Sequence, residues 1–261
     1  MIIVFGALKI ELVHILRSIH IYNIYKNGKT VIYRGFKDNK RLTIIQTGIG
    51  ADNAMKAAEF FKDNYLEYIE SSSSSSRNNT KVFMIGFCGA TDRNLRAGDI
   101  VVYKSIKNIE YSDEKGFYLN GSLELKKNRS IHFLTQNDPL YATGANVTKV
   151  ITDPDEKKKL NNDFGVQAID MESYWIGKTV QQMNLPFSCI RIVSDGAEDV
   201  LPSYYENPSD TGMGANIALS LIRSFFSKKE FRSNINAFRN LKKANLKLAK
   251  VSEGLFSNLN S

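Results

Sequence analysis

Four acidic residues, Glu11, Asp170, Glu172 and Asp195, stand just past apolar runs that read as strands. In an α/β protein the carboxyl ends of parallel strands gather on one edge of the sheet, where ligands bind. Carboxyl groups collected there can do acid–base chemistry on a bound small molecule. The same positions also suit helix caps, and Glu172 and Asp195 could each serve as one. Other chemistries lack their residues. Gly48-Ile49-Gly50 follows a strand, but the third glycine of a dinucleotide loop is Asn53. Gly28-Lys29-Thr30 and Gly177-Lys178-Thr179 end like phosphate loops, yet Asn23 and Glu172 stand where the first glycine belongs. No GxSxG elbow occurs. His14, His20 and His132 have no metal-site spacing, and Cys88 and Cys189 lie in apolar runs as buried thiols.

The elements that must position these acids follow from periodicity. Residues 2–7 read as a strand and 9–19 as an amphipathic helix, with Leu12, Val13, Leu16 and Ile19 at helical spacing. Strands are predicted over 30–34, 42–47, 82–87, 99–103, 147–151, 166–171 and 186–194, and helices over 51–70, 172–184 and 211–227. Asp153-Pro154 opens a further helix. Short strands are expected around Gly116 and Gly121. The run 82–87 is continuously apolar, as a strand buried on both faces should be. This alternation predicts an α/β fold of three layers, a mixed but largely parallel sheet flanked by helices. A six-serine run makes 71–79 a flexible loop inserted in a catalytic domain of residues 1–227, with 228–261 a basic helical extension.

The chain has 261 residues, 43% hydrophobic and 24% charged, enough to bury a core and unlike a disordered chain or a rod. Its net charge of +8 is concentrated in the tail: from residue 221 onward nine basic residues face only Glu230 and Glu253. Phe231, Ile235, Phe238, Leu241, Leu248, Val251 and Leu255 recur there every three or four positions, with Ala244 between, as in an amphipathic basic helix. Such a helix either packs on the domain or lies on an anionic membrane surface. Nucleic acid is disfavoured, because the patch lacks the supporting aromatic interleaving of a nucleic-acid surface. No apolar run is long enough to span a bilayer, and residues 1–7 lack the basic flank of a signal peptide. A cytoplasmic protein is expected, or one peripheral to the inner face of the membrane.

Six ordered segments carry a resemblance: Gly6-Ala7-Leu8-Lys9-Ile10-Glu11, Gln46-Thr47-Gly48-Ile49-Gly50, Gly86-Phe87-Cys88-Gly89-Ala90, Arg96-Ala97-Gly98-Asp99-Ile100-Val101, Ala168-Ile169-Asp170-Met171-Glu172-Ser173 and Arg191-Ile192-Val193-Ser194-Asp195. They resemble, over about residues 1–200, the nucleoside phosphorylase/nucleosidase superfamily, and within it the methylthioadenosine/S-adenosylhomocysteine nucleosidases. Asp-Met-Glu-Ser, Leu201-Pro202 and the basic tail are similar to the hopanoid-associated nucleosidase branch.

The resemblance implies release of adenine from a 5′-substituted adenosine: methylthioadenosine, S-adenosylhomocysteine or a lipid-linked adenosine. Asp195 would be the acid on the leaving base and Ser194 would orient it. Glu172 would hold the ribose hydroxyls, Met171 would pack on the sugar, and Glu11 would activate water. Val150 and Ile151 would stack on the base, and Leu8 and Ile49 would line the 5′ pocket. No metal or organic cofactor is implied, and a homodimer is. Where phosphorylases of the superfamily place an arginine and a serine on phosphate, this chain has Met84 and Phe87, which favours hydrolysis. Phosphorolysis with the same Asp195 and Glu172 is the alternative, with Arg191 or Lys9 as its anion site. A non-catalytic nucleoside or membrane-surface binding protein is the second.

Overall fold

Strand periodicity builds the centre of the molecule. The computed structural model describes residues 1–38, 40–70, 80–126, 131–132, 134, 138–201 and 228–257. In it β1 (Ile2–Gly6) and β5 (Lys81–Ala90) lie between two helical layers. Side chains alternate between the layers: Ile3, Phe5, Val82 and Met84 face one, and Ile2, Val4, Phe83 and Ile85 the other. The first layer is α2 (Ala51–Glu70) and α4 (Ser173–Gln182), which supply Ala57, Phe61, Ile176 and Val180. The second is α1 (Lys9–Ser18) and α5 (Lys228–Ser257), which supply Leu12, Ile15, Ala244, Leu248 and Val251.

The remaining strands are β2 (His20–Asn27), β3 (Thr30–Lys37), β4 (Lys40–Gln46), β6 (Ile100–Ser112), β7 (Gly116–Glu124), β8 (Leu140–Val147), β9 (Ala168–Asp170) and β10 (Phe187–Asp195). They form one sheet in the order β10-β6-β8-β9-β5-β1-β4-β3-β2, with β7 on β6. Because β10 also pairs with β5, the strands β5, β9, β8, β6 and β10 close into a ring. The sheet is mixed: β4, β1, β5 and β10 run parallel at its centre, while β2–β3–β4 and β6–β7 are antiparallel. The parallel strands end together on the edge that carries the acidic residues.

Two elements differ from the sequence expectation. Residues 20–27 gave no strand signal because their side chains are almost all exposed, yet β2 pairs with β3 through a two-residue Gly28-Lys29 turn. Gly28 has φ of 59°, the conformation such tight hairpins favour in glycine. The strand expected over 147–151 lies earlier, as β8, whose Ala142, Gly144 and Ala145 carry little apolar signal. It is small there for a reason: the Tyr103 ring of β6 lies across Gly144, where any Cβ would overlap it.

α3 (Pro154–Phe164) begins as its sequence dictates, with Asp153 accepting from the Asp155 N–H at 2.9 Å and Pro154 in the first turn. The serine run at 71–79 and the helix expected over 211–227 lie outside the described residues. In α5, Ala244, Leu248, Val251 and Leu255 are buried, while Arg239, Lys242, Lys243 and Lys250 are exposed. His14 of α1 meets Asn245 Oδ1 at 3.1 Å. From Ala244 to Leu255 the apolar side that would face lipid is therefore occupied by the protein's own core. No helix among the described residues is long and apolar enough to cross a membrane.

Gly144→Ala is expected to destabilise the protein by about 1–3 kcal/mol, the usual cost of overpacking a core. Urea unfolding followed by far-UV circular dichroism measures it. An unchanged midpoint would mean that the Tyr103 ring swings aside freely.

Candidate active site

Turns that leave β1, β4, β9 and β10, together with the far part of β5, enclose a cavity of about 250 Å³. Glu11, Met171, Glu172, Ser194, Asp195, Leu8 and Ile49 all line it, so seven of the nine residues singled out in the sequence converge. Val150 and Ile151 do not. Ile151 is buried in a separate cluster with Val147, Leu160 and Val166, because β8 ends at Val147 and the chain turns into that cluster before α3. Leu201 and three residues of α5, Ala237, Phe238 and Leu241, complete the wall.

Glu11 is buried and fixed by main-chain donors. Its Oε2 accepts from the N–H groups of Ala7 and Leu8, both at 2.8 Å, and its Oε1 from that of Phe87 at 2.8 Å. Burial raises its pKa, against the opposing pull of Arg191 and of these three N–H groups. Position 87 thus holds Glu11 through its backbone, whatever its side chain.

Asp170 and Glu172 divide two tasks that the sequence could not separate. Asp170 Oδ1 accepts from the N–H groups of Glu172 and Ser173, at 2.9 and 2.8 Å, and so caps α4. Glu172 makes no side-chain cap; its Oε1 instead accepts from Gly50 N–H at 2.8 Å. Beneath both lies Arg191, 0% exposed, with Nε 3.1 Å from Asp170 Oδ2 and Nη2 3.9 Å from Glu172 Oε2. Burial pushes the Glu172 pKa up to about 7, with Asp170 adding to the rise and Arg191 opposing it.

Asp195 caps no helix among the described residues. Ser194 Oγ lies 2.7 Å from its Oδ1 and 3.1 Å from the Cys88 carbonyl oxygen. Its Oδ2 accepts from Lys157 Nζ at 2.6 Å. Sequence reasoning missed Lys157, although a signal was present. Lys157 precedes Leu160 by three residues and Phe164 by seven, which puts it on the inward stripe of α3 rather than among its solvated lysines. The α5 residues of the wall were assigned only to a tail. No lysine, arginine or histidine lines the cavity among the described residues. The arrangement offers a polar floor of four carboxyl groups, Glu11, Asp170, Glu172 and Asp195, with Ser194 beside them, under largely apolar walls.

Comparison with known proteins places this geometry in a family. The model of the phosphorylase superfamily matches residues 1–212. A 5′-methylthioadenosine/S-adenosylhomocysteine nucleosidase of Staphylococcus epidermidis is 25% identical over 240 residues, covering 85% of this chain and 98% of the relative. One of Listeria monocytogenes is 23% identical over 185 residues, 64% of this chain and 74% of the relative. Among solved structures, the futalosine hydrolase of Helicobacter pylori superposes with a TM-score of 0.69 at 16% identity, over 98% of this chain and 97% of that one. The 5′-methylthioadenosine/S-adenosylhomocysteine nucleosidase of Neisseria meningitidis, in complex with methylthio-immucillin-A, gives 0.69 at 17% identity over 97% of each chain. With the family model spanning most of its length, and the turns of its sheet edge meeting in one carboxylate-floored cavity, the chain belongs to the phosphorylase superfamily.

Proposed function

We propose that the protein is a nucleosidase that hydrolyses the N-glycosidic bond of a 5′-substituted adenosine, methylthioadenosine or S-adenosylhomocysteine, releasing adenine. The observation that carries this reading is the charge of the cavity. Glu11, Asp170 and Glu172 crowd one guanidinium, Arg191, and no cation lines the cavity among the described residues. A phosphate dianion would meet this row of carboxyl groups, with no lysine or arginine among the described lining residues to receive it. Water meets no such barrier.

The placement of the carboxyl groups supports the following reaction. Glu172 accepts hydrogen bonds from the ribose hydroxyls, and Met171 packs on the sugar. As C1′–N9 breaks, its electron pair passes to the base, and Asp195 gives a proton to the base nitrogen. Glu11, on the opposite face, takes a proton from the water whose oxygen bonds to C1′. An acid and a base on opposite faces of a sugar is the arrangement of inverting glycosidases. Leu8 and Ile49, with Phe238 and Leu241, form the apolar wall suited to the 5′ group. The names of the relatives in Staphylococcus and Listeria support the same substrates.

Adenine release from methylthioadenosine, followed with and without phosphate, tests the reading directly. Turnover should ignore phosphate and yield free methylthioribose, and Glu11→Gln and Asp195→Asn should each lower kcat by roughly 10²–10⁴. Strict dependence on phosphate would replace hydrolysis by phosphorolysis.

A pH profile tests the ribose clamp. Below its raised pKa of about 7 Glu172 is protonated and a poorer acceptor, and above it the carboxylate accepts from both hydroxyls. Activity as kcat/KM should therefore rise with pH through about 7. Glu11, raised in the same direction, adds to this limb. Glu172→Gln should remove the component near 7 while lowering activity throughout. A profile already flat between pH 5 and 8, as an ordinary carboxylate pKa of ~4.3 would give, contradicts the assignment.

A further inference from the structure

Lys157 is the only lysine buried among the described residues, and nothing above gives it a role. Methionine or leucine would fill its place on the inward stripe of α3 without desolvating a charge. A cation in the first turns of a helix also opposes the helix dipole. Its ammonium is wholly engaged at the end of β10: Nζ donates to Asp195 Oδ2 at 2.6 Å, to Gly196 O at 2.8 Å and to Asp199 O at 3.3 Å. Lys157 does not line the cavity, so it reaches the reaction only through Asp195.

Resting on the hydrolase reading above, we propose that Lys157 is a positioning residue for leaving-group protonation. It makes Asp195 Oδ1 the oxygen that carries the proton, and it faces the negative charge left on the carboxyl when that proton departs. An ammonium on Oδ2 keeps that oxygen an acceptor and leaves Oδ1 to bear hydrogen. Ser194 has one hydroxyl hydrogen and two acceptors in reach, the Cys88 carbonyl at 3.1 Å and Asp195 Oδ1 at 2.7 Å. Turned to Cys88, it presents a lone pair rather than a hydrogen to Oδ1–H. As the glycosidic bond breaks, the proton moves from Oδ1 to the base, and Asp195 becomes a carboxylate against the Lys157 ammonium. The 2.6 Å contact of Nζ with Oδ2 serves both states, the acid whose Oδ2 accepts and the carboxylate left after transfer. A contact that strengthens as the proton leaves stabilises the transition state more than the ground state.

The test compares two leaving groups in Lys157→Met. Methylthioadenosine needs its base protonated, whereas the phenolate of 4-nitrophenyl β-riboside leaves without a proton. Turnover of methylthioadenosine should fall about 10²-fold with KM changed less than about threefold, while nitrophenyl riboside cleavage stays within about threefold of the wild type. The double variant Lys157→Met/Asp195→Asn should be no slower on methylthioadenosine than Asp195→Asn, because both changes remove one function. That comparison decides the matter even if Lys157→Met alone fails to fold, since the double variant leaves no carboxylate unpaired. Equal losses on both substrates in folded Lys157→Met, or a double variant markedly slower than Asp195→Asn, overturns the proposal alone. A wild-type protein that releases no adenine overturns the hydrolase reading and this proposal with it.

Discussion

Arg191 is a guanidinium taken wholly out of water, and the site is arranged around that fact. A buried charge persists only where opposite charges and hydrogen bonds compensate it. Asp170 supplies the closest compensation from β9, with Glu172 from the turn that follows. Room for the side chain comes from the strand beside it. Arg191 pairs in register with Gly86 of β5, where a Cβ would lie against Glu11 Oε1 and 2.6 Å from Arg191 Nη1. One interaction thus joins β10, β5, β9 and α1 at a point. It also explains how three carboxyl groups share one dry corner without driving each other apart.

Each of those carboxyl groups is then fixed by a different device. Main-chain N–H groups hold Glu11, and Asp170 turns its free oxygen to the first N–H groups of α4. That cap releases Glu172, the formal start of the helix, to reach across to Gly50 and into the cavity. Asp195 is held by side chains, Ser194 from its own strand and Lys157 from α3. Orientation by neighbours of differing kinds lets four acids of two residue types take four distinct environments, which acid–base chemistry requires.

Much of this was legible in the sequence, for identifiable reasons. Continuous apolar runs such as 82–87 revealed strands buried on both faces, and acids placed just past them pointed to the edge where they converge. Legibility failed where burial and composition part company. β2 shows its side chains to solvent and has no alternation to read, and β8 substitutes glycine and alanine so that Tyr103 can lie over it. Lys157 was hidden inside a run of three lysines, two of which are exposed as composition suggests. The choice between cap and ligand at Glu172 depended on which oxygen Asp170 had free, and spacing alone does not encode that. Val150 and Ile151 fall outside a strand because β8 ends four residues earlier than the apolar run implied.

The tail poses an apparent conflict, since a protein of net charge +8 ought to attract phosphate rather than exclude it. Distance and dielectric resolve it. Arg239, Lys242, Lys243 and Lys250 are exposed on α5, where salt screens charges over about 8 Å, while the side of that helix facing the cavity is Ala237, Phe238 and Leu241. Inside, two like charges about 4 Å apart interact by about 4 kcal/mol at the effective dielectric of a protein site, against about 1 kcal/mol in water. On the hydrolase reading proposed above, the near carboxyl groups therefore outweigh the distant lysines of α5 in deciding what enters. The apolar face of the same helix removes water from around them and strengthens that decision. A basic helix can close an acidic site without neutralising it, provided that its charges point outward, as these do.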